Sequence, residues 1–153
     1  MTDLPFGRGG SPLQNLIVRG INETQFTALR CVADLDAGPI YMKRSLSLFG
    51  TAEEILLRAT NLTGEMIERM VRDQPASKPH GGDPINFPRR GPQDGDISKS
   101  SELEQVFDHN RILDSDDYPT AFVETEHFML EFPRVSLKTD SVVDDVKISR
   151  KEL

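Results

Sequence analysis

Residues 40–72 read IYMKRSLSLFGTAEEILLRATNLTGEMIERMVR, and this stretch decides the fold. Ile40, Met42, Leu46 and Leu48 alternate with Tyr41, Lys43, Ser45 and Ser47. A period of two is the mark of a strand buried on one face. Arg44 interrupts the apolar face, which places it near an edge or beside an acid. Phe49-Gly50-Thr51 then closes the strand and opens a helix. Thr51 and Glu54 have capping-box spacing: the hydroxyl accepts from a free backbone N–H while Glu54 reaches back.

From Ala52 to Asp73 the period changes to that of a helix. At about 100° per residue, Ile55, Leu56, Ala59, Leu62, Met66, Ile67, Met70 and Val71 fall within roughly half the circumference. Glu54, Arg58, Asn61, Glu65, Glu68, Arg69 and Arg72 fill the other side. The stripe keeps its phase across Gly64, so one helix is predicted, weakened there by about 1 kcal/mol relative to Ala. Leu62 lies near the centre of the stripe, and a carboxylate at that position is expected to be among the most damaging changes in the chain.

Working outward toward the N-terminus, Asp36-Ala37-Gly38-Pro39 is a turn signal. Before it, Thr27, Leu29, Cys31, Ala33 and Leu35 alternate as in a strand, giving a hairpin with the strand at Ile40. A helix capped by Asn22 is the alternative for residues 24–35. Cys31 is expected in the core. Ser11-Pro12-Leu13-Gln14 carries a cap, a proline suited to the first turn and a box partner, which predicts a short helix from Pro12 to Arg19. Residues 1–10 are glycine-rich and read as a flexible arm bearing Phe6 and Arg8.

Toward the C-terminus, residues 75–100 hold 5 of the 10 prolines and 4 of the 11 glycines. That composition predicts a linker or extended arm. Its large apolar side chains are Ile85, Phe87 and Ile97, and Arg89 and Arg90 follow the first two. Ser101 and Glu104 have capping-box spacing ahead of a short helix with Leu103, Val106 and Phe107. Ala121–Glu131 reads as one strand ended by Pro133. Residues 134–138 and 142–148 read as two more, and 149–153 as a polar tail.

The resulting expectation is an α+β fold: a small antiparallel sheet covered by one long amphipathic helix, with extended N-terminal and central arms. Its divisions are a flexible arm at 1–10, a hairpin and long-helix half at 11–74, a Pro/Gly-rich linker or arm at 75–100, a short helix with a β-meander at 101–148, and a tail at 149–153.

Composition bounds the function. The net charge of −7 is unevenly placed: residues 1–74 hold 8 basic and 9 acidic side chains, and residues 101–153 hold 6 and 13. An acidic C-terminal third argues against a general nucleic-acid binder, because phosphate contact needs a basic surface. No apolar run approaches the roughly 18 residues of a membrane span, and no secretory signal opens the chain. The single cysteine permits no intrachain disulfide, which favours a reducing compartment. The expected setting is intracellular or within a virion.

No phosphate-binding loop, dinucleotide fingerprint, nucleophile elbow or paired-histidine metal motif is present. No catalytic residue, metal ligand set or cofactor is therefore assigned. The best acidic grouping is Asp114, Asp116 and Asp117 with Glu124 and Glu126, which lacks the ligand pattern of a calcium loop and a nearby base. It reads as a solvated turn and an exposed sheet edge.

The first expectation is a non-catalytic assembly or adaptor subunit of a larger complex, viral or phage included. Its partners would be other protein subunits or copies of itself, with nucleic acid less favoured and no membrane. Phe6, Arg8, Ile85, Phe87, Arg89 and Arg90 are the candidate partner-binding residues. On this reading the central arm is dispensable to the body, so loss of Ile85 and Phe87 would leave the melt unchanged. The alternatives are a metal-dependent hydrolase or nuclease using the acidic grouping, and a nucleic-acid-associated protein with arginine arms.

Overall fold

The computed structural model describes residues 1–115 and 118–151. The chain divides into two compact units, Met1–Phe49 with Glu54–Arg89, and Gly50–Glu53 with Arg90–Leu153.

The first unit opens on β1 (Phe6–Gly9) and α1 (Pro12–Ile17). Leu13, Leu16 and Ile17 are almost wholly buried, and this short helix is a centre of the unit's core. It stops two residues before the predicted end, where the Gly20 N–H donates to the Ile17 carbonyl at 2.8 Å. Gly20 has a φ of 71°, a conformation in which glycine carries no Cβ penalty. The antiparallel hairpin of β2 (Glu23–Leu29) and β3 (Ile40–Ser47) follows, in register from Glu23 opposite Ser47 to Ala28 opposite Met42, with a shift that sets Leu29 opposite Ile40. Of the strand expected at 24–35 only the part up to Leu29 forms; Cys31, Ala33 and Leu35 belong to the connecting loop of residues 30–39. Cys31 is exposed in that loop, not buried in the core.

Helix α2 (Ala52–Asp73) spans the predicted range, and its first two residues group with the second unit. Ile55, Ala59 and Met66 are buried. Leu62 is only half-buried, and Ile67 and Val71 are exposed, so the apolar stripe is covered on one edge and open on the other. Arg44 reaches Glu65 of this helix at 3.6 Å. Beyond it, β4 (Ile85–Phe87) pairs in parallel with β1, and the Gly10 N–H donates to the Phe87 carbonyl at 3.2 Å. The segment expected to be a linker or arm therefore supplies a strand of this unit.

The second unit holds a short 3-10 turn (Pro92–Gly95) and α3 (Leu103–Arg111). The expected Ser101–Glu104 box is replaced by an N–H of Ser101 donating to the Gln105 side chain at 3.1 Å. The stretch 121–131 splits into β5 (Ala121–Glu124) and β6 (Phe128–Phe132), because Thr125 turns the chain. The Phe128 N–H donates to the Thr125 hydroxyl at 3.0 Å, and the Thr125 N–H donates to the Phe128 carbonyl at 2.8 Å. A two-stranded sheet of β7 (Val135–Leu137) and β8 (Val142–Asp144) follows. The last strand, β9 (Lys147–Arg150), pairs with β6, so the first two residues of the expected tail, Ser149 and Arg150, are sheet. Ile97, Ile112 and Ala121 are its buried apolar centre.

One sheet beneath one long helix is thus not what forms. Four small sheets are present among the described residues: β1–β4, β2–β3, β5–β6–β9 and β7–β8. The sequence pattern overstated how much of the long helix is covered, because Ile67 and Val71 of its apolar stripe are exposed and Leu56, Leu62 and Met70 are only half-buried. It understated the sheets because three-residue strands are too short to show a period.

Candidate active site

The densest chemistry in the first unit lies where the glycine-rich β1 meets the loop 30–39. Gly7 and Gly9 have φ of 79° and 106°, conformations that L side chains rarely adopt. A Cβ on Gly9 would stand 2.7 Å from the Phe87 carbonyl oxygen, and one on Gly7 would stand 2.8 Å from the Phe87 ring. The glycines let β4 and the Phe87 ring press directly onto the β1 backbone.

The loop is held equally tightly. The Arg30 N–H donates to the Pro39 carbonyl at 2.8 Å, and a Cβ on Gly38 would collide with the Arg30 carbonyl. Within it, Asp36 sits in the left-handed region with a φ of 54°. A non-glycine residue in that region costs on the order of 1–3 kcal/mol and persists where the surroundings hold it. The hold is visible: the Gly9 N–H donates to Asp36 Oδ2 at 3.0 Å. Asp36 Oδ1 has no protein partner among the described residues, and the residue is half-exposed. Burial lowers the pKa of the Met1 amino group, and the nearby Asp36 charge partly offsets this. The result is a carboxylate fixed through one oxygen and open at the other. Next to Gly9, the Arg8 guanidinium lies 3.3 Å from the His80 ring Nε2.

Of the candidate partner-binding residues, the structure brings Phe6 and Phe87 together, edge to face with centroids 5.3 Å apart. Phe87 is buried and the Arg19 guanidinium lies 4.5 Å from its ring centroid. Arg8 sits beside His80, Ile85 is half-exposed and Arg89 is exposed. Arg90 groups with the second unit and donates to the Asp94 carbonyl at 2.9 Å.

The acidic grouping is not assembled. Asp116 and Asp117 lie outside the described residues. Glu124 is paired with Lys151 at 2.8 Å and Glu126 faces His127 at 3.9 Å. No group of three or more metal-ligating side chains occurs among the described residues. Nearby, a hydrogen bond from Lys147 holds the Glu131 carboxyl below its ordinary pKa. Sequence reading passed over Asp36 as a turn residue. The available signal was a glycine-rich segment preceding an Asp-Ala-Gly-Pro loop.

Comparison with known proteins gives the frame for this geometry. The family model for the methionyl-tRNA formyltransferase C-terminal domain matches residues 92–149. A solved methionyl-tRNA formyltransferase from Clostridium thermocellum is 43% identical, with a TM-score of 0.95, covering 99% of this chain and 67% of that one. The chain belongs to the methionyl-tRNA formyltransferase family. Among curated members, that of Leifsonia xyli is 23% identical over 137 residues, which are 86% of this chain and 45% of the relative. The chain thus spans about half the length of the curated relatives it matches along most of its length. A solved N-formyltransferase from Helicobacter canadensis, with folinic acid and dTDP-3-aminofucose, shares the fold alone: 15% identity, a TM-score of 0.57, 98% of this chain and 64% of that one.

Family membership corrects the functional expectation. A non-catalytic viral or phage assembly subunit, an adaptor and a metal-dependent hydrolase all give way to an enzyme family that transfers formyl groups. No helix among the described residues is long and apolar enough to cross a membrane.

Proposed function

We propose that this chain is part of an intracellular enzyme that transfers a formyl group from a reduced folate to a primary amine. Family membership supports the reaction class, and the folinic acid of the Helicobacter canadensis neighbour supports the donor class. Acceptors named among the relatives are methionyl-tRNA and an amino sugar, and both present a primary amine.

The observation that carries the reading is the Asp36 carboxylate, held by the Gly9 N–H with Oδ1 open. A primary ammonium has no lone pair with which to attack a formyl carbon. With the ammonium's first proton lost to solvent, a positioned carboxylate can take a second proton from the amine nitrogen as the N–C bond forms and return it to the folate nitrogen as that nitrogen's bond to the formyl carbon breaks, a contribution of about 10²–10⁴ in rate. The left-handed backbone of Asp36 points to a carboxylate placed for function at a cost in local strain.

The test is Asp36→Asn. The amide oxygen still accepts from Gly9, so the loop is kept while the base is lost. Formylated amine is quantified by mass spectrometry with a formyl-folate donor. The expected result is a rate loss of about 10²-fold or more with an unchanged melting temperature. Wild-type activity in the variant would remove Asp36 from the chemistry.

A further inference from the structure

We propose that Arg8 receives a phosphate group of the acceptor, which is then held at two points, its phosphate on Arg8 and its amine at Asp36. This rests on the formyl-transfer reading and deepens it. The observation is a cation without a counter-ion next to the positioned carboxylate. Arg8 directly precedes Gly9, whose N–H holds Asp36 Oδ2 at 3.0 Å, and these residues and His80 all belong to the first unit.

Arg8 is half-buried, and its Nε is sealed from solvent with no hydrogen-bond partner. Among the described residues its side chain has one partner, the His80 ring, whose Nε2 and Nδ1 lie 3.3 and 3.5 Å from Nη2. A guanidinium donates and never accepts, so the ring nitrogen that it meets is an acceptor and supplies no negative charge. No carboxylate among the described residues pairs with Arg8, whereas Lys43, Arg44, Arg69 and Arg72 of the same unit each have one. A part-buried charge in that position has lost hydration without regaining it from a partner, and an anion arriving from outside the chain removes the deficit.

The chemistry of that anion follows from the acceptors. Methionyl-tRNA and dTDP-3-aminofucose, named among the relatives, each carry a primary amine and a phosphate on one molecule, joined through a sugar. The planar guanidinium fork matches two phosphate oxygens at once. Anchoring the phosphate fixes where the amine falls, and that orientation brings the nitrogen to the carboxylate.

Two measurements on the full chain test this. In the first, formylation with a formyl-folate donor and methionyl-tRNA is compared for wild type, Arg8→Gln and Arg8→Lys. The expected result is an acceptor KM raised about tenfold or more in Arg8→Gln, partly restored in Arg8→Lys, with the donor KM unmoved. An unchanged acceptor KM would overturn the proposal, as would a rise confined to the donor KM, which would give the guanidinium to the folate's carboxylates. The second measurement needs no turnover: thermal melts with and without inorganic pyrophosphate. Pyrophosphate should raise the melting temperature of wild type and not that of Arg8→Gln, and without it the variant should melt no lower than wild type. Equal pyrophosphate shifts in both proteins would overturn the proposal, and so would a variant that melts lower without the anion, because that marks a structural guanidinium. An Arg8-dependent pyrophosphate shift in a chain that formylates no amine would sink the formyl-transfer reading while supporting the phosphate site.

Discussion

Removing the Phe87 ring is the sharpest test of the first unit. The ring is 4% exposed, packs edge to face on Phe6 at 5.3 Å and lies 4.5 Å from the Arg19 guanidinium. Its third neighbour is the bare backbone of Gly7, where a Cβ would stand 2.8 Å from the ring. A buried Phe truncated to Ala costs about 3–5 kcal/mol, because the glycine backbone offers no side chain to collapse into the void. Within that sum, the aromatic pair accounts for roughly 0.5–1.5 kcal/mol and the guanidinium for roughly 1 kcal/mol. Phe87→Leu retains most of the buried area, so it should cost about half as much. Urea denaturation followed by circular dichroism reads both. With a slope of about 1–3 kcal/mol per molar, Phe87→Ala should move the midpoint of the first unit down by about 2 M. A wild-type midpoint in Phe87→Ala would refute the reasoning and return residues 85–90 to the role of a dispensable arm.

Two further outcomes follow from single side chains. Asn15 is 2% exposed, and its amide donates to the Gly10, Ser11 and Pro88 carbonyls at 3.1, 3.0 and 2.8 Å. Asn15→Ala strands those acceptors and should cost about 2–4 kcal/mol by chemical denaturation, whereas a cost below about 1 kcal/mol would mean that water replaces the amide. Asp144 has its carboxyl pKa raised by burial first and by Asp145 and Asp114 after, against N–H donation from Arg134 and Asp145. A raised carboxyl contributes stability at low pH that is lost as pH rises through its elevated value. Asp144→Asn should therefore raise the melting temperature of the second unit at pH 7 and leave it unchanged well below the carboxylate range. A difference independent of pH would sink that assignment.

The legible parts of this fold are those with a period long enough to count. Helix α2 declared itself through Ile55, Ala59 and Met66, and β3 through Ile40, Met42 and Leu46, whereas on the other side of Asp36-Ala37-Gly38-Pro39 only Thr27 and Leu29 of the alternating residues lie in β2. The β1–β4 pair did not, because a three-residue strand flanked by Pro84 and Pro88 carries no alternation and its partner lies far away in sequence. Thr125 looked like one more β-branched strand residue, whereas its hydroxyl turns the chain. Asp36 was hidden for a different reason. Its role depends on a backbone sign and on one N–H from a strand 27 residues away, and neither is written in local composition.

The short piece Gly50–Glu53 has a consequence for how this sequence can be dissected. The Gly50 carbonyl accepts from the buried Arg111, and the Glu53 N–H donates to the Asp114 carbonyl at 3.2 Å. A fragment cut to the matched segment 92–149 would carry a buried guanidinium stripped of one acceptor. The family's C-terminal domain, as present in this chain, is therefore not a transplantable module bounded by one cleavage. Its cohesion depends on four residues encoded some forty positions upstream, at the mouth of a helix that belongs mostly to the other unit.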